Sequence, residues 1–267
     1  MRPVALTIAG SDPSGGAGIQ ADLKTIAALG CYGMSAITAL TAQNTLGVSG
    51  IHPVPPDFAA AQISAVLEDI GTDAVKIGML YSVELIRVVA EQLRKFGAQN
   101  IVLDPVMVAQ SGDRLLMNDA VGAITEYLMP LADAVTPNIP EAEVLLGRPI
   151  RSLEDMHAAA RDLGRFGSRS ILIKGGHGEG KDSNDLLYLC RPGRFVTVAA
   201  ERIVSRNTHG TGCTLSSAIA AFLARGESLE DAVRLAKEYI SQAIRAAAGY
   251  TLGRGHGPVH HFFNYWK

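Results

Sequence analysis

The sequence predicts an α/β fold with a mostly parallel central sheet, and three observations predict it. Apolar residues make up 48% of the 267-residue chain and aromatics only 6%. Ala, Gly, Leu, Ile and Val dominate, the composition of buried parallel strands packed closely against helices. Val4 to Ala9, a glycine-rich loop and Ile19 to Leu29 read as strand, loop and helix, the opening of a doubly wound unit. Finally, Gly10, Met79, Asp104, Asn138 and Lys174 all fall at or just past the C-terminal ends of expected strands. That edge is where open α/β sheets bind ligands.

The elements follow in order. Val4 to Ala9 is a short apolar and β-branched run, the mark of a fully buried first strand. The loop Gly10-Ser11-Asp12-Pro13-Ser14-Gly15-Gly16-Ala17-Gly18 is not a Walker A loop, because no Lys-Ser or Lys-Thr closes it, and it does not satisfy G-x-G-x-x-G. Asp22 falls one turn into the next helix and is expected to face back toward the loop. Tyr32 to Leu40 is a second strand, Thr41 to Thr45 a polar break, and Val48 to Val54 a short strand ended by Pro55-Pro56. Together they suggest a small flap. Asp57 can cap a helix to about Ile70. Ala74 to Met79 is a buried strand, and Val83 to Phe96 a helix stopped by Gly97. Ile101 to Pro105 is a strand with the Asp104 carboxylate at its C-terminal tip. Asp119 to Leu128 is helical, Ala134 to Thr136 a strand, and Pro137 to Glu141 opens another helix. Ser152 can cap a helix to about Phe166. Ser170 to Lys174 is a strand turned by Gly175-Gly176-His177-Gly178. Leu186 to Leu189 and Phe195 to Ala200 pair antiparallel around Pro192-Gly193. Two helices, about 212–225 and 229–248, close the chain. The stripe Leu229, Ala232, Val233, Ala236, Ile240, Ala243, Ile244 and Ala247 marks the buried face of the second. No repeat, linker or low-complexity tract divides residues 1–267, so one domain is expected.

Several classes are excluded. Net charge is −2 with no basic block, which disfavours a nucleic-acid partner. Cys31, Cys190 and Cys213 are far apart, without the spacing of a disulfide framework or a zinc site. The first residues are too short a run for a signal peptide, and no stretch is apolar enough to span a membrane. A cytoplasmic soluble protein is expected.

The chemistry centres on Asn207-Thr208-His209-Gly210-Thr211-Gly212-Cys213-Thr214-Leu215. A glycine-containing turn opening a helix offers unpaired N–H groups and the positive end of the helix dipole, which is an anion site. The same field is expected to lower the pKa of the Cys213 thiol. A Gly-rich loop capped by a buried cysteine fits this segment alone equally well. Lys174 can reach phosphates, and Asp104 and Glu141 offer hard oxygens for Mg²⁺. Each also has a bland reading, as strand-closing lysine, turn-starting Asp and first-turn helix charge. The Gln43 carboxamide matches the adjacent amino group and ring nitrogen of an aminopyrimidine, although taken alone it reads more simply as an ordinary polar loop residue. Met79 can wall a flat ring or simply pack a core. The His256, His260 and His261 run sits among aromatics and reads as a packed tail rather than a metal site. His209 is a candidate base for a Cys213 nucleophile.

Eight stretches carry a family resemblance: Ile8 to Lys24, Thr41 to Thr45, Lys76 to Met79, Leu103 to Met107, Thr136 to Ala142, Lys174 to His177, Asn207 to Leu215 and Gly257 to Phe262. In order and over nearly the whole chain, they resemble the hydroxymethylpyrimidine kinase/phosphomethylpyrimidine kinases of thiamine biosynthesis, in the pyridoxal-kinase-like branch of the ribokinase superfamily. The resemblance implies a three-layer α/β/α ribokinase-like fold with a small β flap, and a homodimer. It implies ATP-dependent phosphorylation of 4-amino-5-hydroxymethyl-2-methylpyrimidine to the monophosphate and then the diphosphate. By position, Gln43 would hold the aminopyrimidine, with Gly10, Ala17, Asp22 and Met79 around it. Lys174, Asn138, Asp104 and Glu141 would serve ATP, the two carboxylates holding Mg²⁺. Gly210, Thr211 and Gly212 would form the anion hole and Cys213 the base. Cysteine where most of the superfamily has Asp argues against a sugar kinase. The rival readings are a pyridoxine or pyridoxal kinase, a transferase or hydrolase with Cys213 as nucleophile, and a non-catalytic sensor.

Overall fold

A computed structural model describes residues 2–107, 115, 120–177 and 182–266. Its strands form one nine-stranded sheet, ordered β3-β2-β1-β4-β5-β6-β7-β8-β9. The parallel centre consists of β1 (Val4–Ser11), β2 (Tyr32–Asn44), β4 (Ala74–Ile77), β5 (Ile101–Leu103), β6 (Ala134–Val135) and β7 (Ser170–Ile173). Antiparallel strands finish both edges: β3 (Gly47–Pro53) beside β2, then β8 (Asp185–Leu189) and β9 (Arg194–Val198) beyond β7. After β1 the chain winds outward through β2, then returns to place β4 on the other side of β1. The crevice beside β1 and β4 is therefore a topological switch point, open at the C-terminal ends of the strands.

Strand alternation builds a helix layer on each face. Leu6, Ile8, Val75 and Ile77 face the core under α2 (Pro56–Asp69), α3 (Val83–Lys95), α5 (Ile139–Leu146) and α6 (Leu153–Gly164). Ala74, Val102, Ala134 and Leu172 face the opposite core under α7 (Thr211–Ala224) and α8 (Leu229–Ala247). The small residues of those strands let α7 pack closely against the sheet. α1 (Gly18–Ala28) lies beside α7. Among the described residues no helix is long and apolar enough to cross a membrane.

Some sequence expectations shift. The polar run Thr41 to Thr45 does not break the strand. β2 continues to Asn44 and pairs with β3 through an irregularity at Ala42/Gln43. Polar residues are tolerated there because the ribbon stands clear of the core. Asp57 does not cap α2: Pro55 occupies the cap position, and Asp57 accepts from its neighbour Phe58 N–H. Ser152 caps α6 as expected, in a capping box with Asp155. The helix expected over 119–128 is a short α4 (Ala120–Ala123) running into a π-helical turn, Ile124–Leu128. Asp119 and Gly178 lie outside the described residues.

Candidate active site

The loops at this sheet edge enclose a cavity of about 610 Å³. Gly10, Ala17, Gln43 and Met79 line it, together with Gly210 to Cys213 and with Ile203, Ile240 and Ile244.

The turn that opens α7 is tightly constrained at Gly210. Gly210 is the α7 cap, with φ +79, a left-handed conformation that side chains disfavour. A Cβ there would stand 1.8 Å from the Gly16 carbonyl oxygen. Gly210 O accepts from Thr214 N–H and closes the first turn. The Gly212 and Cys213 amides have no acceptor among the described residues, as expected of a first turn whose N–H groups point outward.

Facing that turn is a charged cluster. Lys174 Nζ lies 2.9 Å from Asp104 and 3.7 Å from Glu141. Gly212 packs over both groups: a Cβ there would lie 3.4 Å from Lys174 Nζ and 3.6 Å from Asp104 Oδ2. Burial would raise the Asp104 carboxyl, but Lys174 and Lys76 outweigh it and hold the group below the ordinary carboxylate value. Glu141 goes the other way. Burial, helped by the Asp104 charge and opposed by Lys174, pushes it up to about 7. Its backbone and side chain form a capping box with Asn138, at 2.8 Å each way. The helix-start reading of Asn138 and Glu141 and their place on the cavity wall thus hold together.

Asp22 requires a correction. It does not line the cavity but lies fully buried beneath it. There it holds Lys76 Nζ at 2.9 Å and accepts from Thr7 and Ser217 hydroxyls. It faces inward because Lys76, one residue along β4 from the apolar positions, points to the α7 side and needs a counter-ion. Lys76 itself does line the cavity. Its signal in the sequence was a lysine inside the apolar run Ala74-Val75-Lys76-Ile77.

The Cys213 thiol also departs from expectation. Burial pushes it up to about 11, with Asp22 and Asp104 adding and Lys76 opposing. The helix terminus is outweighed by loss of water.

Met79 Sδ lies where a Gly10 Cβ would come within 3.0 Å. The Gln43 carboxamide oxygen accepts from Thr41 Oγ1. His209 does not serve Cys213: its Nε2 lies 2.8 Å from Asp12 Oδ2. His261 meets Thr214 Oγ1 at 3.1 Å, and burial pushes it down to about 3. His260 packs between the Tyr250 and Trp266 rings. Sequence reading also missed the buried pair Lys237–Asp185, 2.8 Å apart in the cavity wall. Its signal is one lysine beside the apolar stripe of α8.

The phosphomethylpyrimidine kinase family model matches residues 12–260. The chain belongs to the phosphomethylpyrimidine kinase family. A hydroxymethylpyrimidine/phosphomethylpyrimidine kinase of Rhizobium meliloti is 52% identical over 268 residues, covering 100% of both chains. The thiamine biosynthesis bifunctional protein ThiED of Geobacter sulfurreducens is 55% identical over 97% of this chain, which spans 52% of that longer protein. Among solved structures, the Clostridium difficile phosphomethylpyrimidine kinase is 45% identical, with a TM-score of 0.81, 91% of this chain and 100% of that one covered. The ADP complex of Bacillus subtilis pyridoxal kinase has a TM-score of 0.90 at 37% identity, with 98% of each chain covered. The fold is thus the ribokinase-like arrangement that the resemblance implied, and phosphomethylpyrimidine kinases share it with pyridoxal kinases.

Proposed function

We propose that this phosphomethylpyrimidine kinase family member phosphorylates 4-amino-5-hydroxymethyl-2-methylpyrimidine with ATP, first to the monophosphate and then to the diphosphate. One observation carries the reading: Gln43, Gly10, Ala17 and Met79 line the same cavity as Gly212 and Cys213, whose amides have no acceptor among the described residues. The Gln43 carboxamide pairs with the aminopyrimidine edge, and Met79 packs against its face. The Gly210–Gly212 turn receives the charge that builds on the phosphoryl in flight, and Lys174 neutralises the phosphates. Asn138 borders the nucleotide through its place in the cavity wall.

Asp104 and Glu141 fit Mg²⁺, which takes few protein carboxylates and keeps several waters. Lys174 compensates both groups; with an ion held there instead, its ammonium would be free to neutralise the phosphates. The ion supplies further charge neutralisation. Proton and metal compete for Glu141, whose carboxyl is raised to about 7. Mg²⁺ affinity is therefore expected to rise with pH up to about 7 and level off above it. Calorimetric titration across that range measures this. Glu141→Gln should flatten the profile, and an unchanged profile in that variant removes Glu141 from the metal site.

The thiolate of Cys213, a minor form because burial pushes the thiol up to about 11, accepts the hydroxymethyl proton late, since phosphoryl transfer has a loose transition state needing little base. Cys213→Ala is expected to slow the first phosphorylation by about 10²-fold, the range of one general base, with ATP binding unchanged. The second step, on an already ionised phosphate, should lose less. Steady-state kinetics on both substrates tests this, and equal losses contradict it.

The overall reading is tested by ADP release against a panel of pyrimidine and pyridine alcohols. Preference for pyridoxal over the pyrimidine would favour the pyridoxal-kinase rival, and covalent capture without ATP the Cys213-nucleophile rival. Exposed Leu40 and Leu46 on the flap support a homodimer, which sedimentation measures.

A further inference from the structure

His209 stands immediately before the anion hole, yet its side chain serves neither Cys213 nor the cavity's charged cluster. Its Nε2 meets Asp12 Oδ2 at 2.8 Å, deep in the protein, with Asp12 2% and His209 7% exposed. The same Asp12 carboxylate gathers the pyrimidine-end loop. It accepts from Ser14 N–H and Oγ–H, both at 2.9 Å, from Gly16 N–H at 3.2 Å and from Ala17 N–H at 2.9 Å. Burial would raise Asp12, but the hydrogen bonds from His209 and Ser14 hold it lower.

His209 is itself pinned from behind. Its N–H donates to Gly257 O and its carbonyl accepts from Val259 N–H, so the chain's last segment runs beside it. That segment also grips the flap: His256 N–H donates to Thr45 O and Gly255 N–H to Thr45 Oγ1. The loops meet again one residue on, where Gly210 abuts the Gly16 carbonyl. Ala17 lines the cavity beside Gln43 and Met79 in its wall, and Gly210 caps α7, where the anion hole opens. The Asp12–His209 contact therefore sets the separation between the two ends that phosphoryl transfer must bring into line.

We propose that His209 is a positioning residue, which, through Asp12 and backed by the segment 255–259, holds the anion-hole loop in register with the pyrimidine loop. The proposal rests on the kinase reading above. It gives the singled-out histidine a role other than base to a nucleophilic cysteine. In-line transfer is sensitive to such register, since a misplacement near 1 Å costs about 10²-fold in rate.

Three variants test it: His209→Ala, His209→Gln, whose carboxamide N–H can still reach Asp12, and Asp12→Asn, which keeps the shape and weakens the junction. For each, kcat and KM for the pyrimidine, ATP hydrolysis without pyrimidine, ATP Kd and the rate of Cys213 alkylation by iodoacetamide are measured. His209→Ala is expected to lower kcat by about 10²-fold, raise pyrimidine KM, and raise the share of ATP lost to water, with ATP Kd and alkylation unchanged. His209→Gln should recover most of the loss, and Asp12→Asn should show the same pattern as His209→Ala. Unchanged kcat and KM in folded His209→Ala overturn the proposal. A glutamine variant no better than alanine also overturns it. Loss of Cys213 alkylation in both histidine variants overturns it by making His209 the thiol's base. Should the alanine variant not fold, the glutamine and Asp12→Asn variants decide by the same measurements. Absence of pyrimidine turnover in the unaltered protein is instead failure of the kinase reading.

Discussion

Asp22→Ala is expected to cost about 3–5 kcal/mol of stability, the range for breaking a buried ion pair by removing one partner. Both side chains of the Asp22–Lys76 pair are 0% exposed. The ammonium is bidentate on the carboxylate, at 2.9 and 3.0 Å. The pairing holds the Lys76 proton more tightly than usual, against the burial that would release it. Without Asp22, that lysine keeps its charge with no counter-ion or loses its proton. The Thr7 and Ser217 hydroxyls also lose an acceptor. Adding Lys76→Met should restore much of the loss, because replacing a whole buried pair by apolar groups is often neutral. Urea unfolding of the two single variants and the double variant measures the coupling. Simple additivity would contradict a dependent pair. The same series tests the ring-contact role that the resemblance implied for Asp22: a raised pyrimidine KM at unchanged stability in Asp22→Asn would restore that role.

Gly210→Ala is expected to lower kcat by at least about 10²-fold, the range for loss of one preorganised anion-hole donor. The methyl group has nowhere to go. It would lie 1.8 Å from Gly16 O on a backbone at φ +79, so the turn must open or the two loops must part. Gly226→Ala is the matched control. Gly226 has φ +87 with nothing within 4 Å of a built Cβ, and it lies at the far end of α7. It should lose about 1–2 kcal/mol, the left-handed penalty alone, with kcat unchanged. Thermal unfolding and steady-state kinetics on both variants separate strain from chemistry. Equal kcat losses in the two would mean that Gly210 acts through stability only.

The course of the chain through the sheet was legible because the hydrophobic pattern is local. Runs such as Ile101-Val102-Leu103 and Ser170 to Ile173 are buried on both faces and cannot be anything but central strands. The stripe of α8 is written in its spacing. Convergence of Asp104, Asn138, Glu141 and Lys174 was legible too, since parallel strands all deliver their C-terminal ends to one edge. The β2 extension through Gln43 was not, because a polar ribbon outside the core leaves no apolar alternation to read.

By itself, then, the sequence determined the fold class, the edge of the sheet where Asp104, Asn138, Glu141 and Lys174 meet, and the turn that opens α7. These follow from strand-length apolar runs and from backbone that only glycine adopts readily. Tertiary structure alone decided where the charges go. Asp22 turned from the cavity to Lys76, and His209 turned from Cys213 to Asp12. Glu141 was raised by burial while Asp104 was held low by two lysines. The Cys213 thiol, which a helix terminus should acidify, was instead pushed up by its loss of water. A charge's partner and its solvation depend on what lies beside it in space, from segments up to 197 positions away, and no local pattern encodes that.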